Sequence, residues 1–393
     1  MISVEEALAR CLALVSPLPA EEVPLREAAG RMMAAPALAT RDQPPFDASA
    51  MDGYALGGDP EPGARFTVIA EAQAGHAAAL ALGPGEAIRI FTGAPIPQGA
   101  TRVVIQEDVT REGDTITIGP KPDAARHIRP RGQDFRAGDA LSPRRLSPHD
   151  LALLAAMNIP RVSVTRKPSV AILATGDELV MPGDSPGPDQ IICSNAFALA
   201  ALAEAEGATA RILPIARDRV EELTAAFHLA AGVQGEGADL ILTIGGASVG
   251  DHDLVGPVAQ SLGLERAFWK IAMRPGKPLM AGRVLGRPML GLPGNPVSSI
   301  VCAHLFLLPM LRAMQGRPDV APEAVEAVLA EDVAPTGPRT LYMRARVAGG
   351  VITPFARQDS ALIQVLTEAN ALLIRPKEDV ARQKGDRVFY LPL

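Results

Sequence analysis

Aromatic residues make up only 4% of the chain, with a single tryptophan, and no basic run is interleaved with them. The stacking surface of a single-strand nucleic-acid binder is therefore missing. The net charge of −6, without a block of five or six like charges, gives no general attraction to nucleic acid or to an anionic membrane. Neither partner is expected. Cysteine is scarce as well: Cys11, Cys193 and Cys302 are isolated and odd in number, which predicts three buried thiols in a reducing compartment and a cytoplasmic protein. The opening MISVEEALAR lacks a basic segment followed by an apolar core, so it reads as a capped helix and not as an export signal. The longest apolar stretch, Val297 to Leu311, is interrupted by His304 and Pro309 and falls short of a membrane span. Histidine shows no H-x-x-x-H or H-E-x-x-H spacing, which argues against a zinc hydrolase. Neither a G-x-x-x-x-G-K-[ST] loop nor a G-x-G-x-x-G turn after a strand is present, so P-loop and dinucleotide sites are excluded.

What is present is enough for several packed cores. Apolar residues account for 48% and charged residues for 21%, and 393 residues exceed what one core usually serves. Ser3 with Glu6 predicts a capping box, followed by Val4, Ala7, Leu8, Cys11 and Leu12 at helical spacing. Ser147, Pro148 and Asp150 predict a second helix start. Between them, Asp59 to Asp139 is rich in Gly and Pro with short β-type runs at Arg65–Ala70, Ala87–Phe91, Arg102–Gln106 and Thr115–Ile118, which predicts an inserted β domain. From Lys167 the text alternates strand, loop and helix: Ser169–Ala174, a helix capped by Ser194, Thr209–Ile215, a helix starting at Asp218, Asp239–Ile244, Met289–Leu292 and a helix from Pro296. Such alternation specifies a mostly parallel sheet with helices on both faces. After Gly316, runs at Thr340–Val347, Val351–Pro354, Ala371–Arg375 and Arg387–Leu391 predict a C-terminal β domain.

Ligands of an open parallel sheet bind beyond the carboxyl ends of its strands. Three unusual turns fall there: Thr175, Gly176, Asp177 and Glu178; Gly245, Gly246, Ala247 and Ser248; and Pro293, Gly294, Asn295 and Pro296. Glycine lets the backbone approach a ligand, and helix N-termini favour anions. Lys270, Arg274 and Lys277 place three cations within eight residues around Pro275 and Gly276, a local positive site on an acidic chain. Glu178, Asp218, Asp251 and Asp253 would repel a phosphate unless a hard cation such as Mg²⁺ lay between them; Asp218 also reads as a helix cap. The run Pro44 to Ala55, with Asp47, Asp52 and Tyr54, has the composition of an ordered functional loop preceding any regular element.

Together PPFDASAMDGYA, IFTGAPIPQGA, ILATGDEL, IGGASVGDHDL, MRPGKP and GLPGNPVSS occur in the order and approximate spacing of the molybdopterin molybdenumtransferases, the bacterial MoeA proteins and the gephyrin E domain. The resemblance covers nearly the whole chain and is strongest from Arg41 to Ser299. It implies a helical dimerisation segment that is elongated (1–40 and 141–166), an inserted β domain (41–140), a doubly wound α/β molybdopterin-binding domain (167–315) and a C-terminal β barrel (316–393). It further implies insertion of molybdate into adenylylated molybdopterin with release of AMP, Mg²⁺ dependence and a homodimer. The molybdopterin adenylyltransferase and molybdoenzyme apoproteins are implied as partners. By motif, Asp52, Asp253, Lys270 and Arg274 are the expected catalytic positions. Thr92, Thr175, Gly176, Asp177, Glu178, Gly245, Gly246, Ser248, Lys277, Pro293, Asn295, Arg344 and Ser360 are expected to bind the pterin nucleotide, and Glu178, Asp218, Asp251 and Asp253 the metal. Ala247 stands where the family often has valine. Two other readings are an enzyme that adenylylates molybdopterin, whose α/β domain would look alike, and a scaffold that binds partner peptides.

Overall fold

The computed structural model describes residues 1–233, 235–245 and 254–393, and the described chain divides into two compact units. The first comprises Met1–Glu21, Gly30–Met32 and Val164–Leu393, and the second Glu22–Ala29 and Met33–Ser163.

The strands of the first unit before its C-terminal segment include β1 (Ser169–Ala174), β2 (Thr209–Ile212), β3 (Leu240–Ile244), β4 (Glu265–Trp269), β5 (Met273–Arg274), β6 (Met280–Val284) and β7 (Arg287–Leu292), besides the short pair Leu179–Val180 and Ile191–Ile192. Six of them make one sheet in the order β2-β1-β3-β7-β6-β4. The first four run parallel and the last two antiparallel. The β6/β7 hairpin is what sequence periodicity understated, because Met280–Val284 follows so closely on the basic turn. Alternation along β1 and β3 supplies two cores. Val170, Ile172, Ala174, Leu240 and Leu242 bury on one face; Ala171, Leu173 and Ile241 bury on the other. Helix Asn195–Ala205, the helical run 296–314 and the N-terminal helix Val4–Leu12 contribute to the first core, and helices Val220–Ala231 and Val255–Ser261 to the second. This is a doubly wound layer arrangement. Leu242 is fully buried, and truncating such a side chain to alanine costs about 2–5 kcal/mol.

Helix 296–314 is long and apolar enough to cross a membrane by length and composition, yet 78% of that window is buried within the protein. His304 and Pro309 do not interrupt it. A π turn at Ala303–Leu307 precedes Pro309, whose ring would clash with the carbonyl four residues back in a regular α-helix. All three cysteines are buried and free, as expected; burial pushes the Cys11 thiol up to about 12.

The C-terminal segment adds β8 (Val325–Leu329), β9 (Thr340–Ala348), β10 (Val351–Pro354), β11 (Ala371–Arg375) and β12 (Arg387–Pro392). Pairing runs β9-β10-β8-β12-β11 and returns to β9, closing a five-stranded barrel. Strand β5 pairs in parallel with the start of β9, Met273 opposite Thr340 and Arg274 opposite Leu341, so the basic turn is tied to the barrel.

In the second unit six strands form one sheet, in the order Arg102–Ile105, Gly53–Leu56, Glu86–Ile90, Arg65–Ala72, Thr115–Ile118 and Val109–Glu112. Gly53–Leu56, assigned above to a loop, is an inner strand paired with both Glu86–Ile90 and Arg102–Ile105. It carries no β-branched residue; its strand character comes from partners on both sides. Local caps also differ from expectation. Ser147 and Asp150 form a complete capping box, whereas Ser3 accepts from the Glu6 amide but Glu6 turns to Arg10. Ser194 donates to Asn195 instead of capping its helix, and Arg219, not Asp218, occupies the N-cap of Val220–Ala231.

Arg166 and Asp239 tie the entry to β1 and β3. The guanidinium donates to both Asp239 oxygens at 2.9 and 2.7 Å, and the Ser169 amide and hydroxyl add bonds at 2.8 and 2.9 Å. Burial pushes the Asp239 carboxyl up, but the Arg166 and Ser169 bonds outweigh it and hold the group below the usual carboxylate range. A depressed carboxylate stabilises the fold above its unfolded pKa, and that stability is lost as pH falls through the lower folded value. Asp239→Ala should therefore cost roughly 2–3 kcal/mol in urea unfolding at neutral pH. The gap from wild type should shrink as the pH is taken below the ordinary aspartate range; a gap independent of pH would contradict this.

Candidate active site in the first unit

The strand ladder continues one residue past the carboxyl ends of the central strands. The Thr175 amide donates to the Ile244 carbonyl and the Gly245 amide to the Leu292 carbonyl, both at 3.1 Å. The turns after β1, β3 and β7 are thereby set side by side. Gly245 has φ +88°, and a Cβ there would lie 3.1 Å from the Thr175 carbonyl oxygen and 3.3 Å from its hydroxyl, so only glycine lets the two turns touch. Arg217, which sequence reasoning missed, staples the first turn by donating to the carbonyls of Gly176, Asp177 and Leu179 at 3.3, 2.9 and 2.9 Å. The Asp177 carboxylate accepts from the Asp218 amide at 3.3 Å.

Two cavities open over these turns. The larger, about 530 Å³, is walled by Leu179, Ile191, Ile192, Ile244, Pro278 and Pro293, with Thr175, Glu178, Ser194 and Asn195 as its polar side chains. The smaller, about 260 Å³, is lined by Arg274, Lys277 and Arg339 together with Ser298, Gln358, Asp359 and Ser360. Asn295 and Pro278 border both, and the Asn295 amide group donates to the Ser360 hydroxyl at 3.2 Å. None of Arg274, Lys277 and Arg339 makes an ion pair among the described residues. Three cations against the single carboxylate of Asp359 leave this small cavity with an excess of positive charge, which suits a tetrahedral oxyanion or a phosphate. Arg339 escaped the sequence reading because it stands alone before β9, 62 residues or more from the other two; only the pairing of β5 with β9 brings it in.

The expected residues sort unevenly. Thr175, Glu178, Gly245, Pro293, Asn295, Arg274, Lys277 and Ser360 line the paired cavities. Lys270 lines neither; its ammonium lies 4.0 Å from the centre of the Trp269 ring, which Arg266 also approaches at 5.6 Å. Arg344 is buried and spends its guanidinium on the Gln358 side chain and on the carbonyls of Arg357 and Asp359. Its place is behind the loop that carries Ser360. Gly246, Ser248, Asp251 and Asp253 lie outside the described residues. Among the described residues no group of three or more His, Cys, Asp or Glu is arranged to hold a metal ion. Glu178 and Asp218, the two described members of the expected magnesium set, do not by themselves make a site for it.

With that geometry in hand, comparison with known proteins is decisive. The chain matches the MoeA N-terminal region (domain I and II) over residues 2–158, a probable molybdopterin binding domain over 171–313 and the MoeA C-terminal region (domain IV) over 326–393. It is 32% identical to the molybdopterin molybdenumtransferase of Staphylococcus aureus (strain COL) over 387 residues, 95% of this chain and 91% of that one. The chain belongs to the molybdopterin molybdenumtransferase family. The family member of Nostoc sp. is 38% identical over 75% of this chain and 70% of its own. A solved molybdopterin biosynthesis MoeA protein of Pyrococcus horikoshii OT3 superimposes with a TM-score of 0.82 at 27% identity, with full coverage of both chains.

The second unit holds the remaining two expected positions of this molybdenumtransferase family chain, and it brings them together. The Asp52 carboxylate accepts from both the Thr92 amide and the Thr92 hydroxyl at 2.8 Å. These bonds, the backbone one foremost, hold its carboxyl below the usual range, with Arg89 adding to the effect. Asp52 is accordingly an anion at neutral pH, fixed in direction by a neighbour 40 residues away.

Gly276 fixes the basic turn in the first unit. It has φ +104°, and a Cβ there would stand 2.5 Å from the Cys302 sulfur and 3.2 Å from the Met273 methyl carbon. Gly276→Ala should cost about 1–3 kcal/mol in thermal or urea unfolding. It should also weaken molybdate binding at least tenfold in calorimetry, because Arg274 and Lys277 flank the displaced turn. Unaltered affinity in a destabilised variant would separate the turn from the anion site.

Proposed function

We propose that this chain inserts molybdenum into adenylylated molybdopterin and releases AMP, completing molybdenum cofactor. It is a transferase of molybdenum cofactor biosynthesis. The observation that carries the finer reading is the joined pair of cavities: an apolar-walled space beside a small one with three cations that make no ion pair among the described residues, bridged by Asn295. In this reading molybdate occupies the cationic cavity, with Arg274, Lys277 and Arg339 offsetting its two charges and Ser360 donating to an oxygen. The larger cavity takes the organic part of the substrate against Ile191, Ile192 and Pro293. The phosphoanhydride would lie near their shared border, within reach of Asn295 and Lys277. The chain's contribution is then positioning and electrostatic stabilisation of negative charge.

Mg²⁺ dependence belongs to the same proposal, as does homodimerisation in the cytoplasm. Glu178 and Asp218 alone do not fit the ion.

The test is AMP formation by purified protein given adenylylated molybdopterin, with and without molybdate. Molybdate-dependent release is expected, and Lys277→Ala should lower kcat/KM at least tenfold, about 1.4 kcal/mol of lost transition-state stabilisation. Absence of molybdate-dependent AMP from well-folded wild-type protein would reject the reading.

A further inference from the structure

Two carbonyls of the turn after β7, those of Pro293 and Gly294, are held by two buried side chains, of which Asn195 also borders the larger cavity. Asn195, only 6% exposed, donates its amide group to the Gly294 carbonyl at 2.7 Å and to the Ser299 hydroxyl at 3.3 Å. Ser299, fully buried, donates to the Pro293 carbonyl and lies 3.2 Å from the Asn295 carbonyl. The Pro293 and Gly294 carbonyls are thus engaged by side-chain donors, and the Asn295 carbonyl accepts from the Ser299 backbone amide at 3.0 Å, at a turn that borders both cavities. A carbonyl dipole freed to face the cleft would oppose an anion there, and preorganised dipoles are what such sites depend on. Asn195 sits at the first turn of helix Asn195–Ala205, so the same side chain also couples that helix to the start of helix Pro296–Cys302.

We infer that Asn195 is a positioning residue for the reaction: with Ser299 it holds the Pro293–Asn295 turn with the Pro293 and Gly294 carbonyls engaged away from the anion and the Asn295 side chain aimed at Ser360. This rests on the function proposed above. A residue that only supports folding, once replaced, lowers the active fraction and therefore kcat, leaving KM unchanged. A residue that sets the turn alters recognition of the substrate itself.

The experiment compares wild type, Asn195→Ala, Asn195→Asp and Ser299→Ala in molybdate-dependent AMP release. Asn195→Ala and Ser299→Ala are each expected to raise KM for adenylylated molybdopterin at least tenfold with kcat within about twofold. Asn195→Asp, which cannot donate when ionised, should be impaired as strongly at pH 7.5 and regain activity relative to wild type as pH is lowered, because the protonated acid can again donate to the Gly294 carbonyl. Hydrogen exchange of the segment 290–300 needs no turnover and should be at least tenfold faster in Asn195→Ala. Unchanged exchange, or a fall in kcat at constant KM, would overturn the inference. Inactive wild type would reject the function and leave the exchange result to decide the positioning role.

Discussion

Two backbone hydrogen bonds beyond the end of the parallel sheet are the constraint on which the site depends. By donating from Thr175 to Ile244 and from Gly245 to Leu292, the chain keeps three strands in register for one residue longer than the sheet proper. Three turns, the outer two of them 115 or more residues apart in sequence (Glu178 to Pro293), then share one rim. Everything polar in the first unit's cleft is placed relative to that rim, and glycine at 245 is the condition for it, since a methyl group would press on Thr175.

The barrel completes what the rim begins. Met273 and Arg274 are drawn into β-pairing with the start of β9, which delivers Arg339 to the same small cavity as Arg274 and Lys277. Arg344, on β9 itself, faces the other way and organises the 357–359 backbone that presents Ser360. One strand therefore serves the cationic cavity twice, with a cation just before its start and by bracing a loop from its middle. A buried arginine whose guanidinium is satisfied by carbonyls and an amide oxygen is held rigidly, which is the property a bracing group needs.

How much of this was legible beforehand follows from the range of the interactions involved. The alternating apolar runs of β1 and β3 announced a doubly wound sheet, because burial on both faces leaves a direct mark on composition. The glycine turns and the basic turn were visible for the same local reason, and eight of the expected residues line the paired cavities. Arg339, Arg217, Asn195 and Ser299 left no such mark: each acts on backbone groups or on a cavity supplied by another part of the chain. Gly53–Leu56 was misread as a loop because its strand character resides in its neighbours. Ser194 stands at the N-cap with its hydroxyl turned to Asn195 in place of a helix amide, and the helix expected from Asp218 has Arg219 at its N-cap.

In the proposed function the cationic cavity bordered by Asn295 receives the oxyanion. Anomalous diffraction at the molybdenum edge from crystals soaked in molybdate tests it most directly. The predicted result is a peak among Arg274, Lys277 and Arg339, reduced when Arg339 is replaced by alanine. A well-occupied molybdenum position elsewhere, with none in that cavity, would contradict it.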